Sequence, residues 1–175
     1  MAVESLLVLF VVSPERFRDE ELLEPLRAVQ AAGHAVSVGS TRACMATGML
    51  GARVPAASIR ELAGRDWDAL VIVGGSGAPD HLWASEPLLA VVRRLHAAGR
   101  PVAAICLSAA VLARAGVLAG RRATVYPSPR AVIELKRGGA TYVREAVVAD
   151  GPILTASGTE AAVAFGAALV QRLEP

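Results

Sequence analysis

Apolar runs of strand length alternate with helical patterns from one end of the chain to the other. Residues 6–12 form the first apolar run, which has the length of a buried strand. A helix is predicted at residues 17–32, because large apolar side chains recur there at helical spacing and Gly33 follows as a stop signal. The chain therefore opens with a strand and a helix, as expected for a protein that builds a parallel sheet.

The same alternation continues to the end of the chain. Strands are expected at residues 35–39, 69–73, 101–105 and 123–125, and helices at residues 58–63, 86–98, 129–137 and 159–173. The segment 40–51, rich in Gly and Thr, is expected to be a loop, and two later extended runs meet at a turn formed by Asp150 and Gly151. This order of elements predicts an α/β fold with a mostly parallel sheet and helices on both faces.

Three loops should lie at the carboxyl ends of strands. They follow Val73, Ile105 and Ala156. In open α/β sheets, ligands bind at this edge. We therefore expect the functional site there.

Length and charge limit the function classes. The 175 residues fit one domain, residues 1–175, and the formal net charge is +2. The chain has a single lysine, Lys136, and no basic run longer than two residues, so nothing in it favours nucleic-acid binding. We expect one compact domain without a nucleic-acid partner.

The first apolar run and the cysteines indicate the compartment. The run follows Glu4 rather than a basic segment and is too short to span a bilayer, so neither a secretory leader nor a membrane association is predicted. Cys44 and Cys106 lack the spacing of a disulfide framework or a zinc site. These features predict a cytoplasmic protein without a metal or other cofactor.

The segment around Cys106 carries the strongest chemical signal. The expected strand ends at Ile105, and a helical pattern begins directly afterwards with no linker between them. Unpaired N–H groups and the helix dipole at the start of a helix favour an anion, so the pKa of the Cys106 thiol is expected to be lowered. The alternative is an inert buried cysteine, which is a common state of free thiols.

Gly74 and Gly75 follow directly after another expected strand. Glycines at such a point let backbone N–H groups turn toward a ligand or a developing oxyanion. Together with the N–H of Leu107, they can form an oxyanion hole. The segment lacks the spacing of a dinucleotide-binding fingerprint and the ending of a phosphate-binding loop.

Several short motifs occur in a fixed order along the chain. They are residues 17–22, 25–26, 32–36, 66–70, 74–75, 78–82, 104–106, 112–116, 120–124 and 148–155. In this order they resemble the ThiJ/PfpI superfamily, also called the DJ-one superfamily, over nearly the whole chain. The resemblance implies a flavodoxin-like three-layer sandwich, shared with class-one glutamine amidotransferases, and a homodimer with the site near its interface.

The resemblance also implies roles for individual residues. Cys106 matches the family's reactive cysteine, held in a strained backbone conformation, and Glu21 matches a protonated carboxyl that hydrogen-bonds to the thiolate. Gly75 and Leu107 match the residues whose N–H groups form the oxyanion site. The pairing is physically reasonable, because a carboxyl removed from water beside a sulfur has its pKa raised and can donate a hydrogen bond.

The chain departs from the family where a general base is expected. Protease-like members carry a histidine directly after the cysteine, where this chain has Leu107. Glyoxalase-like members carry one just before a proline, where this chain has Tyr126. A tyrosine has an ordinary pKa of about 10 and is a poor base at neutral pH, although Tyr126 can donate a hydrogen bond to a bound carbonyl or to the sulfur. Peptidase and glyoxalase activities are therefore disfavoured.

The remaining polar candidates are assigned as follows. His81 follows the Gly75 loop and is the histidine expected to contact a substrate. His34 and His96 are expected to be ordinary surface residues, and Cys44 a bystander thiol. The hydroxyl of Ser108 is expected to cap the helix after the elbow.

Three functions are consistent with these features. The first is an enzyme whose Cys106 attacks a small electrophile such as an aldehyde, an amide or an isonitrile, with Glu21 moving a proton, in a hydratase, lyase or hydrolase reaction. The second is a redox-responsive stress protein in which Cys106 is oxidised to a sulfinic acid. The third is a binding or scaffold protein with an unreactive Cys106, and intracellular proteolysis is favoured least.

Overall fold

The computed structural model describes residues 4–175, which form a nine-stranded sheet and a small two-stranded sheet. The strands are β1 (Leu7–Val11), β2 (Glu15–Phe17), β3 (Ala35–Ser40), β4 (Cys44–Gly48), β5 (Arg53–Ser58), β6 (Ala69–Ile72), β7 (Val102–Ile105), β8 (Arg122–Ala123), β9 (Thr141–Tyr142), β10 (Val147–Asp150) and β11 (Ile153–Ala156). The helices are α1 (Asp19–Ala31), α2 (Ile59–Leu62), α3 (Ala78–His81), α4 (Glu86–Ala97), α5 (Ala109–Arg114), α6 (Pro129–Arg137) and α7 (Ala162–Leu173). These elements confirm the predicted α/β class.

The large sheet is mostly parallel. Its strand order is β10-β11-β7-β6-β1-β3-β5-β4-β2, and β8 pairs with β9 in the small sheet. The central strands β11, β7, β6, β1 and β3 all pair in parallel, whereas β10 with β11 and β4 with β5 pair antiparallel. The parallel centre brings the carboxyl ends of β6 and β7 side by side.

Helices cover both faces of the sheet. Along β1, Leu9 and Val11 face one buried cluster, while Val8 and Phe10 face the other, as the two-residue period of a strand requires. Residues of α2, α4, α5 and α6 belong to the first cluster, and residues of α1 and α7 belong to the second. The result is the predicted three-layer sandwich, and within residues 4–175 no helix combines the length and apolarity of a membrane span.

Most element boundaries agree with the sequence prediction to within two residues. Ser58 caps α2 as expected, since its side chain accepts a hydrogen bond from the N–H of Arg60 at 3.3 Å. The predicted loop at 40–51 is wrong, because Cys44–Gly48 pairs antiparallel with β5 and parallel with β2. A composition rich in Gly and Thr does not indicate a strand. Strand β4 is stabilised by its pairing with β2 and β5 rather than by its own side chains.

Candidate active site

Cys106 lies at an abrupt turn between β7 and α5. A short 3₁₀ helix, Cys106–Ser108, joins the two elements, and the φ of Cys106 is 61°. This value lies in the left-handed region, where a residue with a side chain is strained, and such strain concentrates at functional sites. The side chain points into the cluster between the sheet and α1, and the residue is 7% exposed.

Two backbone N–H groups face the sulfur of Cys106. Those of Leu107 and Gly75 both hydrogen-bond to it and lower the pKa of the thiol. Leu107 belongs to the turn after β7, and Gly75 to the loop after β6, where its φ is 118°. Two neighbouring strand ends therefore each present one donor to the same atom.

Glu21 reaches the sulfur from α1. The residue is fully buried, and a Cβ added to Gly74 would lie 2.8 Å from its Oε2 and 2.6 Å from the Cβ of Cys106. Neither carboxyl oxygen has a hydrogen-bond partner of ordinary geometry among residues 4–175, and the polar group beside them is the Cys106 thiol. The bare backbone of Gly74 thus leaves the space in which the two side chains meet.

Burial dominates the acidity of both groups. It raises the pKa of Glu21 to about 7, and the neighbouring Cys106 and Arg18 oppose this rise. Burial also raises the pKa of the Cys106 thiol, and the negative charge of an ionised Glu21 raises it further. The structure therefore differs from the predicted lowering of the thiol pKa, because the sulfur is removed from water and lies beside a carboxyl.

The pair can hold one negative charge far more easily than two, since two adjacent buried charges repel each other. A charge on the sulfur is stabilised by two backbone N–H groups, whereas a charge on Glu21 has only the weak donor of the Cys106 thiol beside it among the described residues. A buried charge with few hydrogen bonds is costly. When the pair has lost one proton, the remaining proton is therefore better placed on Glu21 and the charge on Cys106.

Stability should report the pH at which the Glu21–Cys106 pair loses its first proton. The raised folded-state pKa means that the folded protein binds more protons than the unfolded chain between pH 4.5 and about 7. The free energy of unfolding of the wild type should therefore fall as pH rises through this interval, by roughly 3 kcal/mol at most. Urea unfolding at a series of pH values measures this loss.

Glu21→Gln, which cannot ionise, should show a smaller loss over the same interval. Glu24→Gln, on the same helix but on its partly exposed side, is the matched control and should follow the wild type. An identical loss in the wild type and in Glu21→Gln would show that Glu21 is not protonated in the folded protein.

A cleft of about 620 Å³ opens beside the elbow. The N–H of Tyr126, in its wall, donates to the carbonyl of Cys106 at 3.3 Å, and the N–H of Arg18 donates to the carbonyl of Gly74 at 2.9 Å. The lining residues are Arg18, Thr124, Val125, Tyr126, Pro127, Tyr142, Arg144, Glu145, Ala146, Ser157, Gly158, Thr159 and Glu160. The guanidinium of Arg144 has no ion-pair partner among the described residues. The cleft therefore offers polar and charged groups to a small ligand.

The structure brings five of the six predicted site residues to one place. Cys106, Glu21, Gly75 and Leu107 meet at the sulfur, and Tyr126 lines the adjoining cleft. His81 lies elsewhere: its Nε2 is 3.3 Å from Oε1 of Glu15, and it lines a separate cleft of about 430 Å³.

The other two histidines are less exposed than predicted. His34 is buried, and its Nδ1 accepts a hydrogen bond from the N–H of Leu6 at 3.2 Å, so it ties the start of β1 to the turn before β3. His96 is partly buried, and burial lowers the pKa of its imidazole. Both lie outside the cleft beside Cys106.

Trp83 is a residue of this site that sequence reasoning did not find. It is almost fully buried, and its Nε1–H donates to the carbonyl of Leu107 at 2.8 Å. The guanidinium groups of Arg114 and Arg130 lie 5.2 and 4.8 Å from its ring centroid. A tryptophan in an apolar stretch looks like a core residue, and no local pattern shows which carbonyl it reaches.

Comparison with known proteins adds a family match. The family model described as the DJ-1/PfpI family matches residues 7–172. An uncharacterized protein of Methanocaldococcus jannaschii is 42% identical over 168 residues, which cover 95% of this chain and 82% of that protein. A protein of Pyrococcus abyssi named as a deglycase is 34% identical over 142 residues, 81% of this chain and 84% of the relative.

Two further matches extend over almost the whole chain. General stress protein 18 of Bacillus subtilis is 33% identical over 168 residues, 94% of this chain and 96% of that protein. Among solved structures, the ThiJ/PfpI domain protein from Brachyspira murdochii superposes with a TM-score of 0.89 at 27% identity and covers 98% of both chains. Sequence comparison and structural superposition thus both match this chain over nearly its whole length.

Proposed function

The chain belongs to the DJ-1/PfpI family, and from this premise we propose that it is an enzyme whose Cys106 thiolate attacks a small electrophile such as an aldehyde, an amide or an isonitrile. The observation that supports this most is the strained Cys106, whose sulfur faces two N–H groups while Glu21 lies unpaired beside it. An inert structural cysteine needs none of these features.

The first chemical step can be written for an aldehyde. The sulfur of Cys106 forms a bond to the carbonyl carbon, and the π electron pair of the carbonyl moves onto its oxygen. The proton held by Glu21 then passes to that oxygen, which gives a neutral hemithioacetal and a Glu21 carboxylate. The N–H groups of Gly75 and Leu107 are the available donors for the oxygen while it is negative.

The lining of the cleft favours a small polar substrate. Hydrogen-bonding groups and charges of both signs line it, and they are supplied by Arg144, Tyr126 and residues 157–160. The relative of Pyrococcus abyssi is named as a deglycase, so carbonyl compounds and their adducts with thiols or amines are the substrates to test first.

Consumption of glyoxal, methylglyoxal and their thiol adducts by the purified protein tests the proposal. Wild type and Cys44→Ser should consume at least one of these compounds at similar rates, because Cys44 lies on β4, which is separated from β7 in the sheet by β6, β1, β3 and β5. If none is consumed, nor any amide or isonitrile in a wider panel, the enzymatic proposal is wrong.

Oxidation sensing is the second candidate, favoured by the match to a general stress protein. Two peroxide molecules would each transfer one oxygen atom to the Cys106 thiolate and leave as water, which gives a sulfinate beside the Glu21 carboxyl. Mass spectrometry of the Cys106 peptide after peroxide treatment tests this candidate. A gain of two oxygen atoms at Cys106 before Cys44 reacts would support it, and preferential oxidation of Cys44 would argue against it.

Proteolysis is supported least, because Leu107 stands where protease-like members carry a histidine. The homodimer, the cytoplasmic location and the absence of nucleic-acid and membrane partners remain predictions. Light scattering of the purified protein tests the dimer: a mass of twice 18.1 kDa supports it, and a monomer contradicts it.

A further inference from the structure

Ser108 has a hydrogen bond that its place in the sequence does not predict. The residue is fully buried, and its Oγ donates to the carbonyl of Val73 at 2.6 Å. Its side chain makes no capping hydrogen bond to α5, so the predicted capping role is wrong. The hydroxyl instead joins the turn after β7 to the end of β6.

This bond lies just beyond the point where the two strands stop pairing. The parallel ladder of β6 and β7 ends at Ile72 and Ala104. After that pair, the segment that follows β6 continues through Val73 to the donor Gly75. The segment that follows β7 continues through Cys106 to the donor Leu107. The Ser108 hydroxyl therefore ties together the two segments that carry the N–H groups facing the sulfur.

We propose that Ser108 is a positioning residue, whose bond to Val73 holds the N–H groups of Gly75 and Leu107 on one anionic atom. The inference rests on the proposed function, since it describes how the same site stabilises its thiolate or oxyanion. Hydrogen bonds weaken steeply when the donor turns away from the acceptor, so both donors contribute only if the two segments keep their spacing. No ladder hydrogen bond beyond Ile72 and Ala104 fixes that spacing.

Ser108→Ala removes the bond with little change in volume, and Ser40→Ala is a matched control. Ser40 is also fully buried at the end of a strand, and its Oγ donates to the carbonyl of Val12 at 2.7 Å. The two variants lose the same kind of bond, and so should lose similar free energies of unfolding. Only the Ser108 bond lies next to Cys106.

The measurement is the rate of iodoacetamide alkylation at Cys106 against pH, read by peptide mass spectrometry with Cys44 as the reference thiol. In Ser108→Ala, the pH of half-maximal rate should rise by about one unit, a tenfold loss of thiolate at a given pH. Ser40→Ala should keep the wild-type profile. An unchanged profile in Ser108→Ala, or an equal shift in Ser40→Ala, would overturn the inference.

Ser108→Thr keeps the hydroxyl and should keep the wild-type midpoint. If Ser108→Ala does not fold, this variant carries the test, because a raised midpoint with the hydroxyl present would contradict the assigned role. A different result would contradict the proposed function itself: in that case, Cys106 of the wild type would be alkylated no faster than Cys44. A reactive wild type with an unchanged Ser108→Ala would overturn the inference alone.

Discussion

Cys106→Ser should lose turnover of a small electrophile by about a thousandfold or more, while its stability stays close to that of the wild type. A serine hydroxyl is far less acidic than a thiol, so the same site would hold almost none of it in the anionic form. Removal of a nucleophile that acts together with its partners commonly costs this much or more. Steady-state consumption of the carbonyl substrate measures the loss.

Cys44→Ser is the control for this substitution, because it also exchanges sulfur for oxygen but lies on β4. It should retain full activity. Comparable activity in Cys106→Ser and the wild type would show that the reaction, if present, does not pass through Cys106.

Gly75→Ala should cost about 3 kcal/mol or more of stability, and should also move the N–H of residue 75 away from the sulfur. The φ of Gly75 is 118°, which a residue with a side chain rarely adopts. An added Cβ would also lie 2.5 Å from both the carbonyl oxygen of Arg16 and the N–H nitrogen of Arg18. Because these neighbours are backbone atoms, either β2 or the Gly75 loop would have to move.

Urea unfolding measures this effect, with Gly64→Ala as the matched control. Gly64 has no left-handed φ, and an added Cβ there meets nothing within 4 Å. Gly64→Ala should change the free energy of unfolding by less than about 0.5 kcal/mol. A similarly small change in Gly75→Ala would show that the loop after β6 is not fixed by its contacts with residues 16–18.

The central layers of this fold are predictable because each element carries its own signal. The strands at β1, β6 and β7 are apolar runs, and α6 is bounded as predicted, with the Ser128 side chain accepting a hydrogen bond from the N–H of Ala131. Strands β2 and β4 are different, because they depend on each other and on β5 for pairing. A strand whose stability comes from its partners leaves little trace in its own sequence.

The site shows the same division. The Cys106 elbow is visible as a local pattern, whereas the link to Glu21 came from family resemblance and not from the residues alone. The bonds from Ser108 to Val73 and from Trp83 to Leu107 join residues 35 and 24 positions apart in the sequence. Such contacts depend on how strands and helices pack, so only the structure shows them.

The direction in which Glu21→Gln moves the alkylation profile of Cys106 tests the central claim most directly. In the proposed wild-type site, Glu21 is protonated and donates a hydrogen bond to the thiolate. Replacing its O–H with a weaker amide donor should then raise the pH of half-maximal alkylation, by about one unit. If Glu21 is instead an ionised carboxylate beside the sulfur, its removal would relieve repulsion and lower that pH. A rise is the result that the shared-proton account predicts, and a fall would contradict it.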